Sequence, residues 1–236
     1  MSVTAAKGFT AAGVKAGIKA SGNHDLALVR NEGPAKVAAG VFTTNRFQAA
    51  PVVWSIDVLA GGQLDAVVLN SGGANACTGP DGLADTRAMA EATASALGTT
   101  PDQVAVCSTG LIGVRLPMDA VHAGIAAAAA GLAVDGASDA ALAIMTTDTV
   151  PKQAATTSEA GWSVGGMAKG AGMLAPALAT MLVVVTTDAD LTPAEADTAL
   201  RAATRVTFDR TDSDGCMSTN DTVILMASGA SGVGPD

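Results

Sequence analysis

Three times in this chain a short apolar run gives way to a glycine-rich segment. Ala66-Val67-Val68-Leu69 leads into residues 70–79, Val104-Ala105-Val106-Cys107 into residues 108–113, and the strand expected around Ser163-Val164 precedes residues 169–176. A continuous apolar run of this kind marks a strand covered on both faces. After the first such loop comes helical spacing over residues 81–97, with Leu83, Met89 and Leu97 facing inward and Gly98 as the stop. Strands that empty into tight loops and then helices build layered structures. The expected class is therefore α/β, a layered sandwich with mixed sheets and helices.

The remaining signals fit that alternation. Residues 26–29 and 37–42 read as strands with a turn at Asn31-Glu32-Gly33-Pro34. Pro101-Asp102 opens a turn ahead of the strand at 104–107, and Pro117 is placed to be the first residue of a helix running toward Leu132. Residues 179–185 are β-prone. Thr192-Pro193-Ala194-Glu195 starts a helix that runs to Thr207, with Thr as N-cap, Pro next, and Glu closing a capping box. Residues 223–226 form a last strand, and the glycine- and serine-rich tail, 228–236, carries no structure of its own.

With 236 residues the chain can form one large domain or two small ones and bury a sizeable core. Hydrophobic residues at 49% against charged residues at 15% exclude a disordered chain. No apolar run approaches membrane-helix length, and residues 1–7 lack the apolar region of a secretory signal. The expected setting is the cytoplasm, with no membrane partner. A net charge of −9 disfavours nucleic acid. Cys77, Cys107 and Cys216 form no closely spaced pair, so each is expected to be a small buried residue.

There are two histidines, His24 and His122, and no tyrosine. Neither histidine stands in a setting suited to a serine-hydrolase base, and no set of zinc ligands lies at short spacing. An enzyme built from this chain takes its general base from elsewhere.

Three segments can carry chemistry. In residues 70–79 small side chains allow close backbone approach. The plain alternative there is a tight connection, and the lysine of a phosphate-binding loop is missing. In residues 108–113, Thr109 and Gly110 can present a hydroxyl and a backbone N–H in one direction, as an oxyanion hole requires. Lys169 lies among apolar and glycine residues, an odd place for a merely solvated charge. Threonine clusters flank it at 146–149 and 186–187. Thr180 opens an apolar run and, on composition alone, is simply a β-branched strand residue.

Taken together, the segments are more specific. Asn70-Ser71-Gly72-Gly73-Ala74-Asn75-Ala76-Cys77-Thr78-Gly79 is followed by Cys107-Ser108-Thr109-Gly110-Leu111-Ile112-Gly113 with Leu116-Pro117-Met118. Then come Met145-Thr146-Thr147-Asp148-Thr149 with Pro151-Lys152, and Lys169-Gly170-Ala171-Gly172-Met173-Leu174-Ala175-Pro176 with Ala179-Thr180-Met181-Leu182. Ser218-Thr219-Asn220-Asp221-Thr222-Val223 closes the series. This ordered set, with Val3–Phe9 and Gly17-Ile18-Lys19 at the start, resembles the ornithine acetyltransferase (glutamate N-acetyltransferase) family of arginine biosynthesis.

The resemblance implies a self-cleaving N-terminal-threonine acyltransferase architecture. The backbone would break between Ala179 and Thr180, giving an α segment, 1–179, and the start of a β segment, 180–236. Thr180 would be the nucleophile. Its freed α-amine, with a reference pKa near 8, would be the base, which suits a chain poor in histidine. Thr109 and Gly110 would form the oxyanion hole, and Thr146, Lys169 and Thr180 would bind substrate, with Thr147 left open as an alternative to Thr146. The implied reaction carries acetyl from N2-acetylornithine to glutamate, giving ornithine and N-acetylglutamate. No cofactor or metal is implied, although some members also use acetyl-coenzyme A as a co-substrate. The implied assembly is a heterotetramer of two α and two β chains.

Gly73 stands where many relatives have Asn, and Ala171 where many have Ser. Family members continue past the equivalent of Asp236, and that later part supplies further substrate contacts. Two rival readings stand beside the acetyltransferase. One is a related self-cleaving aminopeptidase, which usually carries serine at the cleavage point. The other is a non-catalytic α/β fragment.

Overall fold

In the computed structural model, residues 2–173 and 181–235 are described. Thr180 and Ala179, the expected cleavage pair, lie outside those residues. The apolar runs pair into two sheets. The first holds β1 (Phe9–Val14), β2 (Leu26–Asn31), β4 (Ala66–Gly73) and β5 (Val104–Leu111) in the order β1-β2-β4-β5. Its β1–β2 and β2–β4 pairs are antiparallel and β4–β5 is parallel. The second has the order β3-β9-β8-β7-β6, from β3 (Val37–Phe42), β6 (Lys152–Thr157), β7 (Ser163–Lys169), β8 (Leu182–Thr187) and β9 (Thr222–Ala227). Here β8–β9 is the parallel pair.

The two sheets face each other across a core that includes Val29, Val67, Leu69, Met167, Leu182, Val184, Ile224 and Met226. Removing one such large side chain from water contributes about 1.5–3 kcal/mol. The helix α4 (Ala137–Ala143) adds small residues, Ala140 and Ala141, to this central layer. Outside the first sheet, α2 (Gly79–Leu97) and α3 (Met118–Ala130) lay Met89, Val121 and Ile125 against Leu28 and Val68. Outside the second sheet, α5 (Pro193–Val206) lays Ala196 and Leu200 against Val223 and Leu225. The layering is helix, sheet, sheet, helix, as the α/β sandwich reading requires. The helix α1 (Ala50–Leu59) packs beside β5, where Ser55 donates to the Val106 carbonyl.

Several expectations need correction. Leu83 is 39% exposed, while its neighbours Gly82, Asp85 and Thr86 take the buried positions at that end of α2. Pro117 is the N-cap of α3 and not its first residue. Cys107 is buried as expected, and burial pushes its thiol up to about 12. Cys77 and Cys216 are exposed, since both sit in connecting segments that turn outward. The segments beginning at Asn70 and Ser108 are not loops at their start: β4 continues to Gly73 and β5 to Leu111. The strands at 26–31 and 37–42 do not pair. Asn31 instead steers the turn between them across the sandwich, donating to the Ala35 carbonyl at 2.9 Å and to the Ala227 carbonyl at 3.3 Å. The Thr192 capping box forms as read, with Glu195 closing it.

Candidate functional site

The ends of β5 and β7 open on one cleft of about 530 Å³. β5 delivers Thr109 and Gly110, β7 delivers Lys169, and the segment between α4 and β6 delivers Thr146 and Thr147. The described residues proposed from the sequence thus converge on a single place. Lys19 and Gly72 complete its wall on the side of the first sheet.

Gly110 is built into this wall. Its φ of +132° lies in a region that favours glycine, and a Cβ there would stand 2.5 Å from the carbonyl carbon of Gly72. The two strand ends therefore touch backbone to backbone.

Lys169 is 2% exposed. Its Nζ donates to Thr109 Oγ1 at 3.3 Å. That bond occupies the threonine oxygen as an acceptor and leaves its own O–H free to donate into the cleft. Burial pushes the ammonium down to about 8; Asp148 and Asp221 resist this, while Lys152 and Lys19 add to it.

Asp148 holds the rim together. It accepts from Thr146 N–H at 3.1 Å and Gly170 N–H at 2.8 Å, and it pairs with the Lys152 ammonium. Burial acts to raise its carboxyl, but the Lys152 bond and the two amides together hold it below the usual range.

Lys19 is a cleft residue that the sequence reading left without a role. Its Nζ donates to the carbonyls of His24 at 2.8 Å and Met145 at 2.7 Å. Burial lowers its pKa against the pull of Asp25 and Asp148. The turn that carries it is folded around Asp25, whose carboxylate accepts the four backbone amides of Ala16, Gly17, Ile18 and Lys19. The chain signalled this only as Gly17-Ile18-Lys19 and a lone Asp eight residues after Gly17, a pattern with no chemistry of its own until folded. Neither histidine side chain lines the cleft.

Behind the cleft, Ser108 donates to Asn70, and Asn70 donates to the Gly73 carbonyl at 2.9 Å. Asn220 donates to the carbonyls of Ala74 at 2.6 Å and Ser108 at 2.9 Å. Asp221 is fully buried and accepts the Met181 amide at 2.9 Å. Its Oδ2 lies near Ser218 and has no hydrogen-bond partner of good geometry among the described residues. Burial pushes this carboxyl up to about 6, against the Met181 amide and the Lys169 charge. Met181 directly follows the expected nucleophile, and Lys169 stands opposite Leu182 in the β7–β8 register.

A cation, a free hydroxyl donor and a glycine wall in one cleft suit a carboxylate-bearing ligand and an oxygen that gains negative charge during reaction. Among the described residues no group of three or more His, Cys, Asp or Glu side chains is gathered to hold a metal. A second groove of about 390 Å³ runs over β6 and β7, but it is floored by apolar and small residues and offers no comparable chemistry.

The ArgJ family model matches residues 10–236 of this chain. The Streptomyces coelicolor protein named arginine biosynthesis bifunctional protein ArgJ is 68% identical over 236 residues, which cover 100% of this chain and 61% of that protein. The Mycobacterium leprae protein of the same name is 64% identical over 240 residues, 99% of this chain and 59% of its own. The chain spans about three fifths of the length of these curated relatives. Among solved structures, ornithine acetyltransferase complexed with ornithine from Mycobacterium tuberculosis is 62% identical with a TM-score of 0.73, over 74% of this chain and 94% of that one. The arginine biosynthesis bifunctional protein from Bacillus halodurans is 41% identical with a TM-score of 0.68, over 77% and 95%. A protein from Pyrococcus horikoshii, 14% identical with a TM-score of 0.55, shares the fold alone.

Proposed function

Since this chain belongs to the ArgJ family, we propose that it carries the acyl-transfer centre of an enzyme moving acetyl from N2-acetylornithine to glutamate through an ester on Thr180. The observation that carries this reading is the convergence of Thr109, Gly110, Thr146, Thr147 and Lys169 on one cleft. The strand that begins two residues after Thr180 lies alongside Lys169.

Before the cycle, the Ala179–Thr180 peptide bond is hydrolysed once, one water giving Ala179 its carboxylate and Thr180 a free α-amine. The new α-amine of Thr180 takes the proton of its own hydroxyl. The hydroxyl oxygen attacks the acetyl carbonyl, and the carbonyl oxygen becomes an oxyanion facing Thr109 and Gly110. Losing one such donor costs about 2.7–4 kcal/mol in the barrier. The C–N bond breaks, and ornithine leaves with the proton. The amine of glutamate then attacks the Thr180 ester, releasing N-acetylglutamate and restoring the hydroxyl. Lys169 meets a substrate carboxylate as a point charge, with Thr146 or Thr147 at its side.

In this reading residues 1–179 are the α segment and 180–236 the start of β, two of each assemble, and the enzyme works in the cytoplasm. The share of this chain matched by the solved relatives, 74% and 77%, is close to the share that ends at the proposed cut. Acetyl-coenzyme A is an alternative acetyl donor.

Intact mass under denaturing conditions tests the first step: two species that split between residues 179 and 180 are expected. Incubation with N2-acetylornithine and glutamate is then expected to yield N-acetylglutamate. Hydrolysis of an aminoacyl amide in its place would move the chain to the aminopeptidases, and a single uncleaved, inert species would leave a non-catalytic fragment.

A further inference from the structure

We propose that Asp221 is a positioning residue: its carboxylate fixes the backbone amide of Met181, the residue that follows the expected nucleophile in sequence, while the adjacent Asn220 fixes the strand end that presents Thr109. This deepens the acyl-transfer reading and rests on it for its meaning, but its geometry stands apart from that reading.

The parallel β8–β9 pair begins at Leu182 and Thr222. One residue earlier on each strand stand Met181 and Asp221, and there the side chain replaces the ladder. Asp221 Oδ1 accepts the Met181 amide at 2.9 Å, and the Met181 carbonyl accepts the Thr222 amide at 3.1 Å. Met181 is held on both sides of its Cα. Its N–H belongs to the same planar unit as the carbonyl of Thr180.

The neighbouring residue does the same on the other strand. Asn220 donates to the Ser108 carbonyl at 2.9 Å, in the peptide unit that leads into Thr109. Its second bond, to the Ala74 carbonyl, ties in the end of β4. Two consecutive residues at the root of β9 therefore hold the approach to the nucleophile and the approach to the oxyanion donors in fixed relation. A fully buried carboxylate, here with one oxygen that has no partner of good geometry among the described residues, is costly to fold and is uncommon unless something requires it. An Asp–amide clamp at the edge of a reactive residue is such a requirement.

The test separates position from charge and from folding. Amide exchange at Met181 is measured in the parent chain, in Asp221→Ala and in Asp221→Asn, with Val184 as the internal control. Cleavage is followed by intact mass in the same samples. Asp221→Ala is expected to speed Met181 exchange and slow cleavage, each by about tenfold, with Val184 unchanged. Asp221→Asn keeps an acceptor oxygen, so it is expected to keep Met181 protected and cleave within about threefold of the parent. Equal exchange at Met181 in all three would overturn the proposal, as would Asp221→Asn that protects Met181 yet cleaves as slowly as Asp221→Ala. If the parent is not cleaved, exchange still decides the clamp, and it is the acyl-transfer reading that falls.

Discussion

Lys169 donates to Thr109 across 3.3 Å, joining the end of β7 in one sheet to the end of β5 in the other. That single bond spans the mouth of the sandwich, and both partners are buried. Burial pushes Lys169 down to about 8, below its unfolded value. The charged form is thus disfavoured in the fold. The penalty is fully present below pH 8 and is relieved as the pH rises from there toward the unfolded value, so this residue makes stability rise with pH over that window. Lys169→Met is expected to raise Tm at pH 7 by removing a penalty of at most about 3 kcal/mol, with the gain vanishing near pH 10. Transfer in the same variant is expected to be lost. Unchanged Tm at pH 7 alongside full activity would contradict both roles.

Asp221 runs the other way. Its carboxyl is pushed up to about 6. The stability it contributes is full below its unfolded pKa, near 4, and is lost as pH rises through about 6. Asp221→Asn is therefore expected to be more stable than the parent at pH 7 and indistinguishable from it near pH 4. Urea midpoints at the two pH values check the sign.

Gly110→Ala is expected to destabilise the chain by about 2 kcal/mol or more. The new Cβ meets backbone atoms of Gly72 and Gly73 at 2.5–2.8 Å, and neither strand end has a flexible side chain to yield. Thermal melting measures the loss. Cleft geometry shifts with it, so transfer is expected to fall further than stability alone accounts for.

Asp25→Ala strips four backbone amides of their shared acceptor and frees the turn that carries Lys19. A loss of about 2–3 kcal/mol is expected, since the bonds to a buried charged acceptor are lost while the amides, on half-buried and exposed residues, are partly re-solvated. Melting by circular dichroism would register it. Asp25→Asn, which can accept fewer of the four amides, is expected to fall between the parent and Asp25→Ala.

Thr180→Ala is expected to abolish both the mass split and acetyl transfer. Retained cleavage at the same bond would place the nucleophile elsewhere.

The sandwich was legible wherever local rules and tertiary packing agreed. The apolar runs at 66–69 and 104–107 became central strands. The box at Thr192 capped its helix. What escaped reading was decided at long range. β6 has the sequence Lys-Gln-Ala-Ala-Thr-Thr and is almost wholly exposed, so no hydrophobic pattern marks it, and it exists because β7 offers it a ladder. α1 is rich in Val and Ile and carries a β-like composition, yet it folds as a helix against β5. β1 and α4 are rich in alanine and other small residues, where small size allows close packing but gives little periodicity. At the cleft, Thr109, Gly110, Thr146, Thr147 and Lys169 were legible through motif order. Lys19 was not legible as a cleft residue, nor were Asp25 and Asp221 as the groups that hold backbone in place, because their work is to bind distant amides.

The order of the second sheet has one more consequence. β8 and β9, the strands that follow residue 180, lie in its interior, with β3 on one side and β7 on the other, both from the stretch before residue 180. A cut ahead of Thr180 would sever the covalent thread and leave the two pieces dovetailed. Neither could slide free without unzipping two ladders of backbone bonds. Such a break would take the molecule's continuity and leave its strand order in place.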